Sequence, residues 1–244
     1  MSTASSTEHA AASHGHEHPK WLAHHFDSPA QQFDTAKLGM WIFICTEILM
    51  FGGLFVAYAI FRGQEPQMFH QAHEHLNWRL GAVNTIVLLF SSLTAALSVR
   101  QSQVGDRKGT SRYLVLTLLC AFGFLCIKYL EYTAKLDHGL LPGRCFGHPW
   151  FGDHCVGGGA AVLPAAVHGL STRAHMFFAI YFMMTGLHGV HVLVGIGVLS
   201  WVLMRNMRGD FSKGYFTAVE IGALYWHLVD LVWIYLFPLL YLVG

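Results

Sequence analysis

Residues 215–242 read YFTAVEIGALYWHLVDLVWIYLFPLLYL. The run is long enough to cross a bilayer, which takes roughly 20 apolar residues in a helix. Inside it sit Glu220, His227 and Asp230, groups that are costly at membrane depth and therefore suggest a role. Four more runs of the same kind precede it, from about Lys37 to Phe61, Arg79 to Val99, Tyr113 to Leu136 and Arg173 to Met204. The predicted fold is all-α, an integral membrane bundle of five transmembrane helices. The fourth run exceeds what the bilayer requires and is expected to tilt or project. Glycines within these runs let membrane helices approach closely.

Composition agrees with this reading. Hydrophobic residues make up 54% of the 244 and charged residues 12%, against about 25% charged in soluble domains. A formal net charge of +1 gives no electrostatic preference for nucleic acid. The sequence shows no inverted repeat of the transporter type. It also lacks a glycine-rich phosphate loop, a nucleophile elbow and a zinc-protease helix motif.

The connections set the orientation. Arg100, Arg107, Lys108 and Arg112 lie between the second and third runs, and Arg205, Arg208 and Lys213 between the fourth and fifth. The first connection is near neutral, with Glu65 and Glu74 between Arg62 and Arg79. The positive-inside rule predicts a cytoplasmic N-terminus and a periplasmic C-terminus. An odd number of spans requires opposite sides.

The chain divides into a polar tail, residues 1–36, and a five-helix membrane domain, residues 37–244, which includes an outer loop over 137–172. The tail holds His14, His16, His18, His24 and His25. Its composition favours a solvated cytoplasmic segment over a metal site. No apolar core with a small-residue cleavage site precedes the first span, so no cleaved signal peptide is expected. The outer loop carries Cys145 and Cys155. An oxidising outer compartment permits a disulfide between them, and the alternatives of bonded and free thiols stay open. His148, Asp153 and His154 are nearby, yet the spacings match no compact zinc pattern. Cys45, Cys120 and Cys126 fall within apolar runs, where free cysteine packs as a small hydrophobe. Trp41, Trp78, Trp150, Trp226 and Trp233 are expected as interfacial anchors or packing residues.

Glu47, His188, His191, His227 and Asp230 lie near the middle of their spans. Glu220, His227 and Asp230 share one helical face, as do Met184, His188, His191 and Gly195. Glycines 186, 189 and 195 allow close packing beside the two histidines. Lys128 and Glu131, three apart, are expected to pair along the third span. Three readings fit such a set: a proton relay, haem ligation by histidines of neighbouring helices, and a hydrogen-bonded network that joins the helices.

The stretch Tyr225-Trp226-His227-Leu228-Val229-Asp230-Leu231-Val232-Trp233 resembles the YWHxVDxVW segment of cytochrome c oxidase subunit III. Thr185 to Val192 is similar to that family's TGxHGxHV. Gly39-Met40-Trp41 followed by Thr46-Glu47 resembles its first helix, including a buried glutamate. Asn84-Thr85 with Val87-Leu88-Leu89 matches NTxVLL, and Glu131-Tyr132 matches EY. These segments occur in the family's order and cover about residues 34–244.

The resemblance implies a subunit without redox activity in an aerobic respiratory haem–copper oxidase, a complex that couples oxygen reduction to proton translocation. It implies that haem and copper lie in partner subunits I and II, with no metal and no catalytic residue in this chain. The implied duties are to stabilise subunit I, bind phospholipid and support proton uptake, as a multi-pass protein of the bacterial inner membrane. The interhelical network then becomes the favoured reading for Glu47, Glu131, His188, His191, Glu220, His227 and Asp230. The chain departs from seven-span mitochondrial members by lacking two helices. It departs from short members by its longer outer loop, which is expected to meet a c-type cytochrome or a larger respiratory assembly. Two alternatives share the fold, subunit III of a quinol oxidase and a nitric oxide reductase accessory protein. An independent proton channel or transporter around Glu47 is the alternative from another class.

Overall fold

A computed structural model describes residues 26–73, 76–137, 140, 174–212 and 214–243, with the backbone alone at residue 73. These residues form helices α1 (Pro29–Gln64), α2 (Pro66–His73), α3 (Trp78–Val104), α4 (Arg107–Asp137), α5 (Ala174–Arg208) and α6 (Thr217–Phe237). A π-helical turn, Pro238–Leu242, follows. All but α2 are long and apolar enough to cross a membrane, α6 together with its terminal turn. No β-strand occurs among the described residues. Cys145, Cys155, His148, Asp153, His154, Trp150 and the histidines of the tail lie outside the described residues.

The first helix begins at Pro29, well before Lys37. Ser28 caps it, its hydroxyl accepting from the Gln31 N–H at 3.2 Å, and Pro29 at the first position is already set for helical φ. The added turns pack against the start of α6. Phe33 meets Phe216 edge-on at 6.0 Å, and Lys37 pairs with Glu220 at 2.8 Å.

The connection after α1 also differs from an open loop. Short helix α2 buries Met68, Phe69 and Ala72, with Phe69 between Tyr58 and Phe177 at 5.3 Å from each ring. Its apolar side closes one end of the bundle.

Helices α3 and α4 form a tight antiparallel hairpin. Gly105 ends α3 in the left-handed region at φ 85°, which glycine adopts without strain. Asp106 then caps α4 by accepting from the Lys108 and Gly109 N–H groups. The face of α3 that meets its neighbours is built from Asn84, Leu88, Ser91, Thr94, Ala95 and Ser98, all buried. Small and hydroxylated residues let backbones approach, and the hydroxyls bond across or back to carbonyls. Thr94 meets Thr117 of α4 at 2.8 Å.

Helix α6 sits at the centre of the bundle, the most buried of the five long segments. Trp226 donates its indole N–H to Ser91 at 2.8 Å, and Trp233 donates to Thr85 at 3.1 Å. Both indoles are fully buried, whereas Trp41 and Trp78 are more than half exposed. Gly195 of α5 makes room for Trp226. A Cβ there would lie 2.8 Å from the ring.

Helix α1 is at the opposite extreme. Leu38, Trp41, Ile42, Ile48, Leu49 and Val56 all face outward. Cys45 and Cys126 also face outward, and only Cys120 is partly buried. The two outer cysteines therefore do not serve as packing residues within this chain, because the apolar runs that hold them are only partly covered by neighbouring helices.

Candidate functional site

The densest polar arrangement stands on α4. Lys128, Glu131 and Lys135 recur at three- and four-residue spacing, which puts them on one face. Lys128 Nζ donates to Glu131 Oε2 at 2.7 Å and Lys135 Nζ to Oε1 at 2.6 Å. The hydroxyl of Tyr181 on α5 donates to Oε1 at 3.0 Å, and that of Tyr241 in the terminal turn makes a short bond to the same oxygen. Lys128 also reaches Tyr241 at 2.8 Å, and Lys135 reaches Tyr181 at 3.0 Å. Both ammonium groups lie over aromatic faces, Lys128 above Trp233 at 4.4 Å and Lys135 above Tyr181 at 4.5 Å. All three charged side chains are at most 10% exposed. Two cations thus surround one carboxylate, and every polar end has a partner. Lys128 and Glu131 had been legible as a pair. Lys135, one turn beyond Glu131, carried the same signal, but the two tyrosines gave none because they are distant in sequence.

A second contact joins α1 to α5. Glu47 Oε2 lies 2.9 Å from His191 Nε2, and His191 Nδ1 lies 2.8 Å from the Leu187 carbonyl. A carbonyl only accepts, so Nδ1 carries hydrogen. The remaining contact needs one proton between Glu47 and Nε2, either on the carboxyl or on the imidazole. Phe51 stands edge-on to the ring at 5.4 Å. The pair is only partly buried, its side chains 14% and 15% exposed.

The other expected positions separate. His227 Nδ1 meets Ser92 of α3 at 2.7 Å. Glu220 pairs with Lys37 at 2.8 Å, near the start of α6. His188 is enclosed between Phe124 at 5.6 Å and Trp233 at 5.2 Å, and neither ring nitrogen has a hydrogen-bonding partner. The carboxyl oxygens of Asp230 make no hydrogen bond of good geometry. Ser92 is close to Asp230 but is engaged with His227. Asn84, not singled out beyond its motif, is also buried with its amide unpartnered.

These residues therefore do not form one chain of contacts. Seven residues along α6 correspond to roughly 10 Å of rise, so sharing a face does not mean sharing a depth. Among the described residues no three His, Cys, Asp or Glu side chains converge as metal ligands do.

Beside the α4 cluster, α4 and α5 diverge into an apolar cleft of about 390 Å³, lined in part by Phe124, Lys128, Tyr132 and Leu193. Gly186 and Gly189 form its α5 wall, with open space where a Cβ would stand. Tyr132 and Thr185 bond across it at 2.6 Å.

Comparison with known proteins supplies the remaining information. The family model described as cytochrome c oxidase subunit III matches residues 166–244, a segment that includes α5, α6 and the terminal turn. Cytochrome c oxidase subunit 3 of Thermostichus vulcanus is 29% identical over 233 residues, 95% of this chain and 92% of that one. The Corynebacterium diphtheriae protein of the same name is 30% identical over 212 residues, 86% of this chain and 89% of its own. Quinol oxidase subunit 3 of Bacillus subtilis is 29% identical over 216 residues, covering 87% and 91%.

Proposed function

The chain belongs to the cytochrome c oxidase subunit III family, and from that premise we propose that it is the phospholipid-binding third subunit of an aerobic respiratory cytochrome c oxidase. As an oxidase subunit 3 it is one part of a larger oxidoreductase complex. In this reading the haems and copper belong to subunits I and II. This chain stabilises subunit I, supports its proton uptake and carries out no redox step. The N-terminus is cytoplasmic, the C-terminus periplasmic, and the membrane is the bacterial inner membrane, as the basic second and fourth connections favour.

The carrying observation is where the motif residues spend their polar atoms. Trp226, Trp233, His191 and His227 bond to other helices of this chain. Such contacts hold a bundle together, while the exposed apolar side of α1 is left for lipid or a neighbouring subunit. The α4–α5 cleft has the apolar lining that suits an acyl chain. Purification of the intact complex tests the proposal. A haem–copper spectrum, cytochrome c oxidation and co-migration of this chain are expected. A chain that purifies stably alone, with no haem-bearing partner, would overturn it.

The Bacillus subtilis relative supports a second reading, subunit III of a quinol oxidase. Turnover of the purified complex with quinol but not with reduced cytochrome c would select it.

A further inference from the structure

The groove where α4 begins and α5 ends is strongly basic and is used by none of the contacts above. It encloses about 520 Å³ and is lined by Arg107, Lys108, Ser111, Arg112, Asn206 and Met207. Three of the six are cations and none is an acid. The nearest acid in sequence, Asp106, accepts from the Lys108 and Gly109 N–H groups as the cap of α4.

The groove has a fixed floor. Arg107 donates to the carbonyls of Met207 at 3.0 Å and Asn206 at 3.4 Å, at the end of α5. It lies against Gly209, where a Cβ would approach its guanidinium to 2.8 Å. Asn206 is 2% exposed, and its amide donates to the Arg107 carbonyl at 2.9 Å and to Ser111 Oγ at 2.8 Å. Lys108 and Arg112 project from this floor four residues apart, on one face of α4. Neither forms an ion pair among the described residues.

The surroundings point to one occupant. Val104, Met204 and Met207 are each more than half exposed beside the basic rim, at the ends of segments long and apolar enough to span a membrane. Unpaired cations next to outward apolar side chains suit a molecule with an anionic head and hydrocarbon tails. Basic pockets between membrane helices bind such head groups. We infer that this groove binds the phosphate of an anionic phospholipid, with Lys108 and Arg112 as its principal cationic contacts, Ser111 as an added donor and Met207 against the acyl chain. The site is separate from the α4–α5 cleft and requires only that the chain is embedded in a membrane.

The test uses the intact complex, delipidated in neutral detergent. It is titrated with phosphatidylglycerol or phosphatidylcholine while bound lipids are counted by native mass spectrometry. Wild type should prefer phosphatidylglycerol. K108Q/R112Q should bind it roughly tenfold more weakly or worse, with each single variant intermediate. Arg79→Gln, at the opposite end of the bundle, should leave that affinity unchanged. Equal binding by wild type and the double variant would overturn the inference, as would no preference between the lipids. Displacement by excess inorganic phosphate would mark a free-anion site and overturn the lipid assignment. Loss of another subunit from K108Q/R112Q, with lipid binding unchanged, would make the groove a protein interface instead. Failure of the oxidase assignment would show separately, in the spectrum of the same preparation.

Discussion

Two polar regions of the same bundle are equally buried and oppositely satisfied. Around Glu131, two ammonium groups, one carboxylate and two tyrosine hydroxyls bond to one another without a gap. Around His188 and Asp230, helices α5 and α6 hold an imidazole and a carboxyl group with no well-formed hydrogen bond. The difference teaches that burial alone does not identify a structural contact. A satisfied cluster makes each member costly to remove, because its partners are then stranded. An unsatisfied group already bears its desolvation, so a neutral replacement of similar shape removes little.

The largest expected effect follows from the first region. Glu131→Gln leaves two buried ammonium groups without a counter-charge, and breaking such a set costs about 3–5 kcal/mol. Thermal unfolding of the intact complex should show early release of this subunit. Lys135→Met in the same cluster should cost distinctly less, since one cation and one carboxylate remain paired. Equal losses from the two variants would break the account of a carboxylate shared by surplus cations.

Next in size is His227→Leu, a contact intermediate between the two regions. It removes the bond to Ser92 that joins α3 to α6, for about 1–3 kcal/mol. The measurement is retention of this subunit through detergent purification. Full retention with normal thermal stability would show that the Ser92 bond contributes little.

A smaller effect is expected at Glu47. His191 Nδ1 is held by the Leu187 carbonyl, so Nε2 is free to accept. The amide of Glu47→Gln can donate to it and preserve the join between α1 and α5, whereas Glu47→Leu cannot. The glutamine variant should unfold within about 1 kcal/mol of wild type and the leucine variant clearly earlier. Proton translocation by the reconstituted complex should follow the same order. A large defect in Glu47→Gln alone would mean that the proton of this pair matters beyond packing.

How much of this was legible depends on the range of each interaction. The five spans follow from apolar runs longer than a bilayer is thick, a property local to each run. Lys128 with Glu131 follows from helical spacing. The start of α1 at Pro29 was missed because its extra turns are polar, although the Ser28-Pro29 capping signal was present. The buried end of α2 was missed because eight residues with two histidines do not announce a helix. Tyr181 and Tyr241 could not be found at all, since only the tertiary fold brings them to Glu131. The grouping of Glu220, His227 and Asp230 on one face rests on periodicity, and periodicity says nothing of depth. Glu220 consequently meets Lys37, far along the helix from His227.

The smallest effect is expected at Asp230, where the contrast with Glu131 is sharpest. Both are acids on long helices, and both are less than 5% exposed. Glu131 is faced by the ammonium groups of Lys128 and Lys135. Asp230 meets no cation among the contacts described, and burying its charge alone would be costly. Asparagine has nearly the same size and polarity and brings no charge into the bundle. Asp230→Asn should leave the unfolding temperature of the complex unchanged within error, while Glu131→Gln lowers it. Loss of stability in Asp230→Asn comparable to that of Glu131→Gln would mean that Asp230 faces a cation contributed from outside this chain. The site would then belong to the contact with another subunit.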